Sequence, residues 1–134
     1  MIIRTPGRNP PFCGGTLVNS QHVLTNAGCM MSAANRLIST VWFQVIAGDT
    51  NIVRSVTSTR RIESNVTHIF VHPQYNFLTR NNDLAVMRLG RAIPGFHNTI
   101  EVARRNFRLL PDATMCRMAG WGTLNAVSIL FFKQ

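Results

Sequence analysis

The segment between the first two cysteines does most to limit what this chain folds into. It reads Cys13-Gly14-Gly15-Thr16-Leu17-Val18-Asn19-Ser20-Gln21-His22-Val23-Leu24-Thr25-Asn26-Ala27-Gly28-Cys29. Two short β-prone runs, Thr16–Val18 and His22–Thr25, flank a turn-forming Asn19-Ser20-Gln21. The pattern predicts an antiparallel hairpin between two cysteines. A Cys13–Cys29 bridge would close that hairpin and add about 3 kcal/mol by loop-closure entropy, provided the compartment is oxidising. The third cysteine, Cys116, then has no partner in this sequence. An external partner, a buried free thiol and a missing piece of sequence each account for it.

Strand signals continue along the chain. Val41–Ala47 is rich in β-branched and aromatic residues and ends at Gly48-Asp49. Ile52-Val53 and Val56-Thr57 suggest a further short strand, and Met30–Ala34 one helical turn. From Arg61 to Val71 the residues alternate, which places Ile62, Ser64, Val66, His68 and Phe70 on one side, with Ile69 and Val71 breaking the polar face near the end and His72-Pro73 as the stop. Leu84–Leu89 reads as a buried strand, residues 91–114 as an extended surface connection, and Cys116–Gly122 as a last strand. Short strands separated by turns predict an all-β barrel or sandwich.

Composition narrows the functional classes. The chain has 134 residues, 46% of them hydrophobic and 14% charged, which suits one globular domain and excludes a disordered one. No apolar run is long enough to span a bilayer as a helix. Residues 1–11, with Arg4, Pro6, Gly7, Arg8 and two further prolines, read as a loop and not as a signal peptide. The net charge is +9, and 13 of the 14 basic residues are arginine. That balance favours polyanions such as heparin-like glycans or anionic membranes, with Arg60, Arg61, Arg104, Arg105 and Arg108 as the densest groups. Nucleic acid is not expected as a specific partner, and a solvated basic surface is the plain alternative. No metal-ligand spacing occurs, since His22, His68, His72 and His97 are dispersed, and no cofactor is implied. Asn65-Val66-Thr67 is a glycosylation acceptor sequence, which matters only in a secreted protein.

Four blocks in register identify a family. Phe12–Val18 with Val23–Thr25 and Cys29, then His72-Pro73-Gln74-Tyr75-Asn76, then Asn82-Asp83-Leu84-Ala85-Val86-Met87-Arg88-Leu89, then Cys116-Arg117-Met118-Ala119-Gly120-Trp121-Gly122, resemble the trypsin-like serine proteases of chymotrypsin fold. The resemblance covers residues 12–122 and implies the first of that fold's two antiparallel β-barrels, with the second missing. Residues 1–11 and 123–134 stand outside the family pattern, and the first strand of the barrel is expected to be lost or replaced by residues 1–11. The resemblance also implies that Cys13 pairs with Cys29, that Cys116 ordinarily pairs across to the second barrel, and that the protein is extracellular.

The chemistry of the family needs a serine nucleophile, a histidine base to take its proton and an aspartate to orient that base. Asp83 matches the aspartate. The family places the histidine directly before the second cysteine, and here that position is Gly28, which has no side chain to act as a base. The Gly-Asp-Ser-Gly-Gly run of the nucleophile does not occur, and Ser128 lacks flanking glycines. Met1-Ile2-Ile3-Arg4 differs from the family's activated terminus. These departures predict a non-catalytic homologue from a secreted serine endopeptidase lineage, in which Asp83 accepts backbone N–H groups as a structural carboxylate. The alternatives are a cationic module that binds polyanions and a fragment of a larger endopeptidase homologue acting in proteolysis.

Overall fold

The computed structural model describes residues 1–7, 12–49, 61–94, 96–97, 100–104, 108–115 and 120. Its strands are β1 (Ile2–Arg4), β2 (Cys13–Gly14), β3 (Thr16–Asn19), β4 (His22–Thr25), β5 (Gln44–Ala47), β6 (Ile62–Val71), β7 (Ala85–Leu89), β8 (Phe96–His97) and β9 (Ile100–Glu101). Two single 3-10 turns, Ala27–Met30 and Thr40–Trp42, are the helical content among the described residues. The expected helical turn therefore lies earlier than Met30–Ala34, against Cys29 itself. The expected strand from Val41 begins only at Gln44, because Thr40–Trp42 winds into the second turn. The expected strand in residues 52–57 and the one at 116–122 lie outside the described residues, apart from Gly120.

Seven strands form one antiparallel sheet in the order β2-β1-β5-β6-β7-β4-β3. The two ends of that order, β2 and β3, are separated in sequence by Gly15 alone. They are two halves of one bent strand, so the sheet curls back on itself into a nearly closed barrel. Gly15 is required at the bend: a Cβ there would meet Val23 Cγ1 at 2.6 Å and the Leu24 carbonyl at 3.3 Å. Its N–H donates to Met1 O at 3.1 Å. Burial lowers the pKa of the Met1 amine beside it by desolvation. Residues 1–11 thus supply a barrel strand of their own, β1, paired with both β2 and β5.

The barrel is filled by inward-facing side chains of its strands. Ile3, Leu17, Val23, Val45, Met87 and Leu89 meet Met30, Phe43 and Ile93 at its centre. Each fully buried aliphatic side chain contributes about 1.5–3 kcal/mol. Met87 is completely buried.

The alternation of β6 departs from the sequence pattern at one point. Ser64 and Val66 are buried as expected, but His68 and Phe70 face outward while Ile69 and Val71 turn in. A register shift against β7 between Val66 and His68 causes this. One extra residue in the strand flips every later side chain to the opposite face. The connection at 91–114 is more than a surface loop: it carries the β8–β9 hairpin, buries Ile93 and Ile100, and returns to the barrel through Ala103 N–H to Leu17 O at 2.8 Å.

Candidate functional site

Two segments meet where the family resemblance places its catalytic base and orienting acid. The first is the end of β4. Thr25, buried and paired with Ala85, donates its hydroxyl to Gly14 O at 2.8 Å. The chain then leaves the barrel at Asn26 and tightens into the 3-10 turn Ala27–Met30, with Cys29 N–H bonded to Asn26 O at 3.2 Å. Cys29 forms a disulfide with Cys13, Cα to Cα 6.3 Å. The bridge ties this turn to β2, on the far edge of the sheet order.

The second segment is the loop from His72 to Leu84, closed at its base by His72 N–H to Leu84 O at 2.9 Å. Asn76 organises it. Its side-chain oxygen accepts from Leu78 N–H at 2.9 Å and Thr79 N–H at 3.0 Å, and its carbonyl accepts from Arg80 N–H at 2.8 Å. These are the local side-chain bonds that make asparagine a turn former. Asn82 donates its side-chain amide to Gln74 O at 3.0 Å. Arg80 and Asn82 both take positive φ, 60° and 54°. Such a backbone is natural for asparagine and costly for arginine.

Asp83 ends this loop and joins the two segments. Its Oδ1 accepts the Gly28 N–H at 2.7 Å, and its Oδ2 accepts the Asn26 side-chain amide at 3.1 Å. The Asp83 carbonyl takes a longer bond from the same amide at 3.4 Å. Both carboxylate oxygens therefore face donors of the 26–28 segment.

The space beside Gly28 is filled by Arg80. A Cβ on Gly28 would run into Arg80 Nη1, and would also meet Tyr75 Oη at 3.3 Å and Arg80 Cζ at 3.5 Å. The guanidinium is held there by Nη1 donating to Tyr75 Oη at 2.9 Å and by stacking over the Phe77 ring, 5.0 Å from its centroid. The sequence pattern marks Tyr75 only as part of the His72–Asn76 block and does not mark Phe77 or Arg80. A bulky cation near an empty histidine position leaves no local signal, since Arg80 and Gly28 lie on separate segments.

Gly28 also lines an open groove of about 480 Å³, together with Phe12, Trp42, Phe43 and the Cys13–Cys29 bridge. Phe12 and Phe43 pack at 5.7 Å between centroids. Phe43 is buried, whereas Phe12 and Trp42 are about half exposed, so the groove is apolar and open to solvent.

The other predicted site residues are elsewhere. Arg61 turns into an ion-pair cluster: its Nε donates to Glu63 Oε1 at 2.6 Å and its Nη1 lies 3.7 Å from Asp49 Oδ2. Arg104 and Arg108 lie in exposed segments. Arg60, Arg105 and Cys116 lie outside the described residues. No group of three or more potential metal ligands exists among the described residues, and no helix among them is long and apolar enough to cross a membrane.

A single antiparallel barrel, disulfide-tied at a turn that faces the loop ending in Asp83, defines the class as a chymotrypsin-like β-barrel. The trypsin family model matches residues 3–130, and the chain belongs to that family of serine proteases. The match runs past both edges of the 12–122 block. Human "Serine protease 56" is 31% identical over 124 residues, covering 92% of this chain and 19% of that protein. Bovine "Chymotrypsin-C" is 32% identical over 114 residues, covering 84% and 39%, and chicken "Trypsin II-P29" 32% over 111 residues, covering 83% and 40%. The chain thus spans two fifths or less of the length of these relatives.

Proposed function

We propose that this chain is a non-catalytic member of the trypsin family, from a lineage of secreted serine endopeptidases, and that it acts by binding. The observation that carries this reading is the Asp83 carboxylate bonded to the backbone N–H of Gly28, with the Arg80 guanidinium in the space beside that glycine. A general base must present a lone pair within hydrogen-bond reach of the nucleophile's proton. An arginine side chain is protonated at any working pH and offers donors only, so it cannot take that role. The reading does not depend on whether further chain follows Gln134.

The test is a fluorophosphonate probe with the full chain, trypsin serving as the positive control, together with turnover of arginyl, phenylalanyl and alanyl peptide substrates. The expected result is neither labelling nor hydrolysis. Stoichiometric labelling, or turnover that scales with protein concentration, overturns the proposal.

Binding of polyanions is the second reading, favoured by the net charge of +9. Arg61 adds little to it, since its charge is spent on Glu63 and Asp49. Elution from heparin resin at salt no higher than that of a neutral control removes this reading.

A further inference from the structure

We infer that the outer face of β4, β7 and β6 is a docking surface for anionic phospholipid membranes, and that its cationic row of His22, Arg88 and His68 tightens the hold as the pH falls. The inference rests on the polyanion-binding reading above, names the membrane as the partner and gives it a place on the fold. The two histidines are far apart in sequence, but the strand register sets His22 opposite Arg88 on one side and His68 opposite Arg88 on the other. Directly opposed side chains on one face have Cβ atoms about 4.5–5.5 Å apart. The two rings are held alike. Asn19 Oδ1 accepts the backbone N–H groups of Gln21 and His22 at 2.9 Å each, so the His22 Nδ1 that faces the same oxygen at 2.9 Å carries a hydrogen. Thr67 Oγ1 donates its hydrogen to Arg88 O at 3.2 Å, so the His68 Nδ1 that lies 3.1 Å from it is a donor as well. Each ring is left with Nε2 to take a further proton, and histidine is the side chain that gains charge between about pH 8 and 5.

No acid neutralises the row. Arg88 forms no ion pair with another described residue. The strands on either side, β3 next to β4 and β5 next to β6, carry no titratable side chain. Glu63 on β6 is bound to Arg61 and Arg4, and Asp83 before β7 is bound to Gly28 and Asn26. An apolar row runs beside the cationic one on the same three strands. Val86 stands opposite both Leu24 and Phe70, of which Leu24 is 37% exposed and Phe70 54%. The Phe70 ring lies parallel to that of His68, with 7° between planes and 6.1 Å between centroids. A sulfated glycan engages the cations alone. A phospholipid surface engages both rows: headgroup phosphates accept from Arg88 and from the imidazolium Nε2–H groups, while Phe70 and Leu24 enter the acyl boundary. Membrane binding grows with the apolar area buried and with attraction to anionic lipid, and this face offers both on a chain of net charge +9.

The test is co-sedimentation of the full chain with phosphatidylcholine vesicles, plain or with roughly one third phosphatidylglycerol, at about pH 5.5 and about pH 7.5. The anionic vesicles are expected to bind at least about fivefold more tightly at the lower pH, the effect of one added charge near an anionic surface, and the plain vesicles not to bind. The double variant His22→Gln, His68→Gln is expected to bring that pH ratio to within about twofold, which separates this row from His72 and His97. Arg88→Gln is expected to weaken binding about fivefold at both pH values, and Phe70→Ser about tenfold with no change of charge. All three keep the native disulfide mass and near-ultraviolet dichroism. A pH ratio untouched by the double variant, or binding that Arg88→Gln and Phe70→Ser leave intact, overturns the proposal. Heparin retention of the same variants identifies the other partner: dependence on His22, Arg88 and His68 there, without vesicle binding, assigns the row to a sulfated glycan and overturns the membrane site. A parent chain that binds neither vesicles nor heparin removes the polyanion reading itself, whereas vesicle binding indifferent to these substitutions removes only this site.

Discussion

The backbone N–H of Gly28 donates to Asp83 Oδ1 at 2.7 Å, while Asp83 Oδ2 holds the Asn26 side chain at 3.1 Å. One carboxylate therefore pins the turn after β4 to the end of the loop before β7. Removing it strands the part-buried Gly28 N–H and releases the exposed Asn26 side chain to solvent. Asp83→Ala is expected to cost about 1–3 kcal/mol. Asp83→Asn keeps an acceptor for Gly28 and is expected to cost less than half as much. Urea unfolding of the full chain measures both, and an Asp83→Ala midpoint equal to that of the parent refutes the role.

The Cys13–Cys29 bridge closes a loop with a sequence separation of 16. Its main effect is on the unfolded chain, which it constrains. The double variant Cys13→Ser, Cys29→Ser is expected to lose about 3 kcal/mol relative to the oxidised parent. The oxidised and reduced parent chains should differ by a similar amount in urea. A difference below about 1 kcal/mol would mean that the loop is already ordered in the unfolded chain.

These two contacts divide what is legible in a sequence of this kind from what is not. The bridge and the aspartate loop were readable because each is announced by local residue types, the cysteines of Cys13–Cys29 and the Asn82-Asp83 step before an apolar strand. The inward and outward faces of β6 were readable only up to Val66. Ile69 and Val71 interrupt the polar face there, but the register shift behind them is set by pairing with β7. The first strand was hidden for a related reason: Ile2–Arg4 is three residues long, sits among loop-forming prolines and glycine, and gains its strand character from β2 and β5 on either side. Gly28 was visible as a vacancy, but its filling was not, because Arg80 reaches it from a loop whose turns are built by Asn76.

Arg61 offers a test of the barrel's polar edge. Its side chain is 9% exposed and bonds Glu63 at 2.6 Å, while Arg4 reaches the same Glu63 at 3.3 Å and Gln44 completes the cluster at 2.9 Å. Cutting one member of a buried ionic cluster leaves charge without compensation. Arg61→Ala is expected to destabilise by about 3 kcal/mol, at the low end for buried pairs because Glu63 keeps contact with water. The double variant Arg61→Met, Glu63→Leu also strips Asp49 and Arg4 of their contacts with this pair, so it should be no more stable than Arg61→Ala. Thermal or urea unfolding of the single and double variants decides it, and a single variant within about 0.5 kcal/mol of the parent contradicts the cluster's importance.

The last prediction concerns how the histidine position is closed. A Cβ on Gly28 collides with Arg80 Nη1, the far end of a flexible side chain that can swing outward. Gly28→Ala is therefore expected to cost less than about 1 kcal/mol, because the arginine yields and alanine suits a helical turn. Gly28→His demands far more room and must displace Arg80 from Tyr75 and Phe77. Overpacking of this kind costs about 1–3 kcal/mol. In an Arg80→Ala background the imidazole has the vacated space, and Gly28→His should become nearly neutral. The two substitutions are then coupled by about 0.5–3 kcal/mol, the range seen for residues in contact. A double-mutant cycle in urea reads that coupling directly. Additive costs would mean that Arg80 does not occupy the place of the missing side chain in solution.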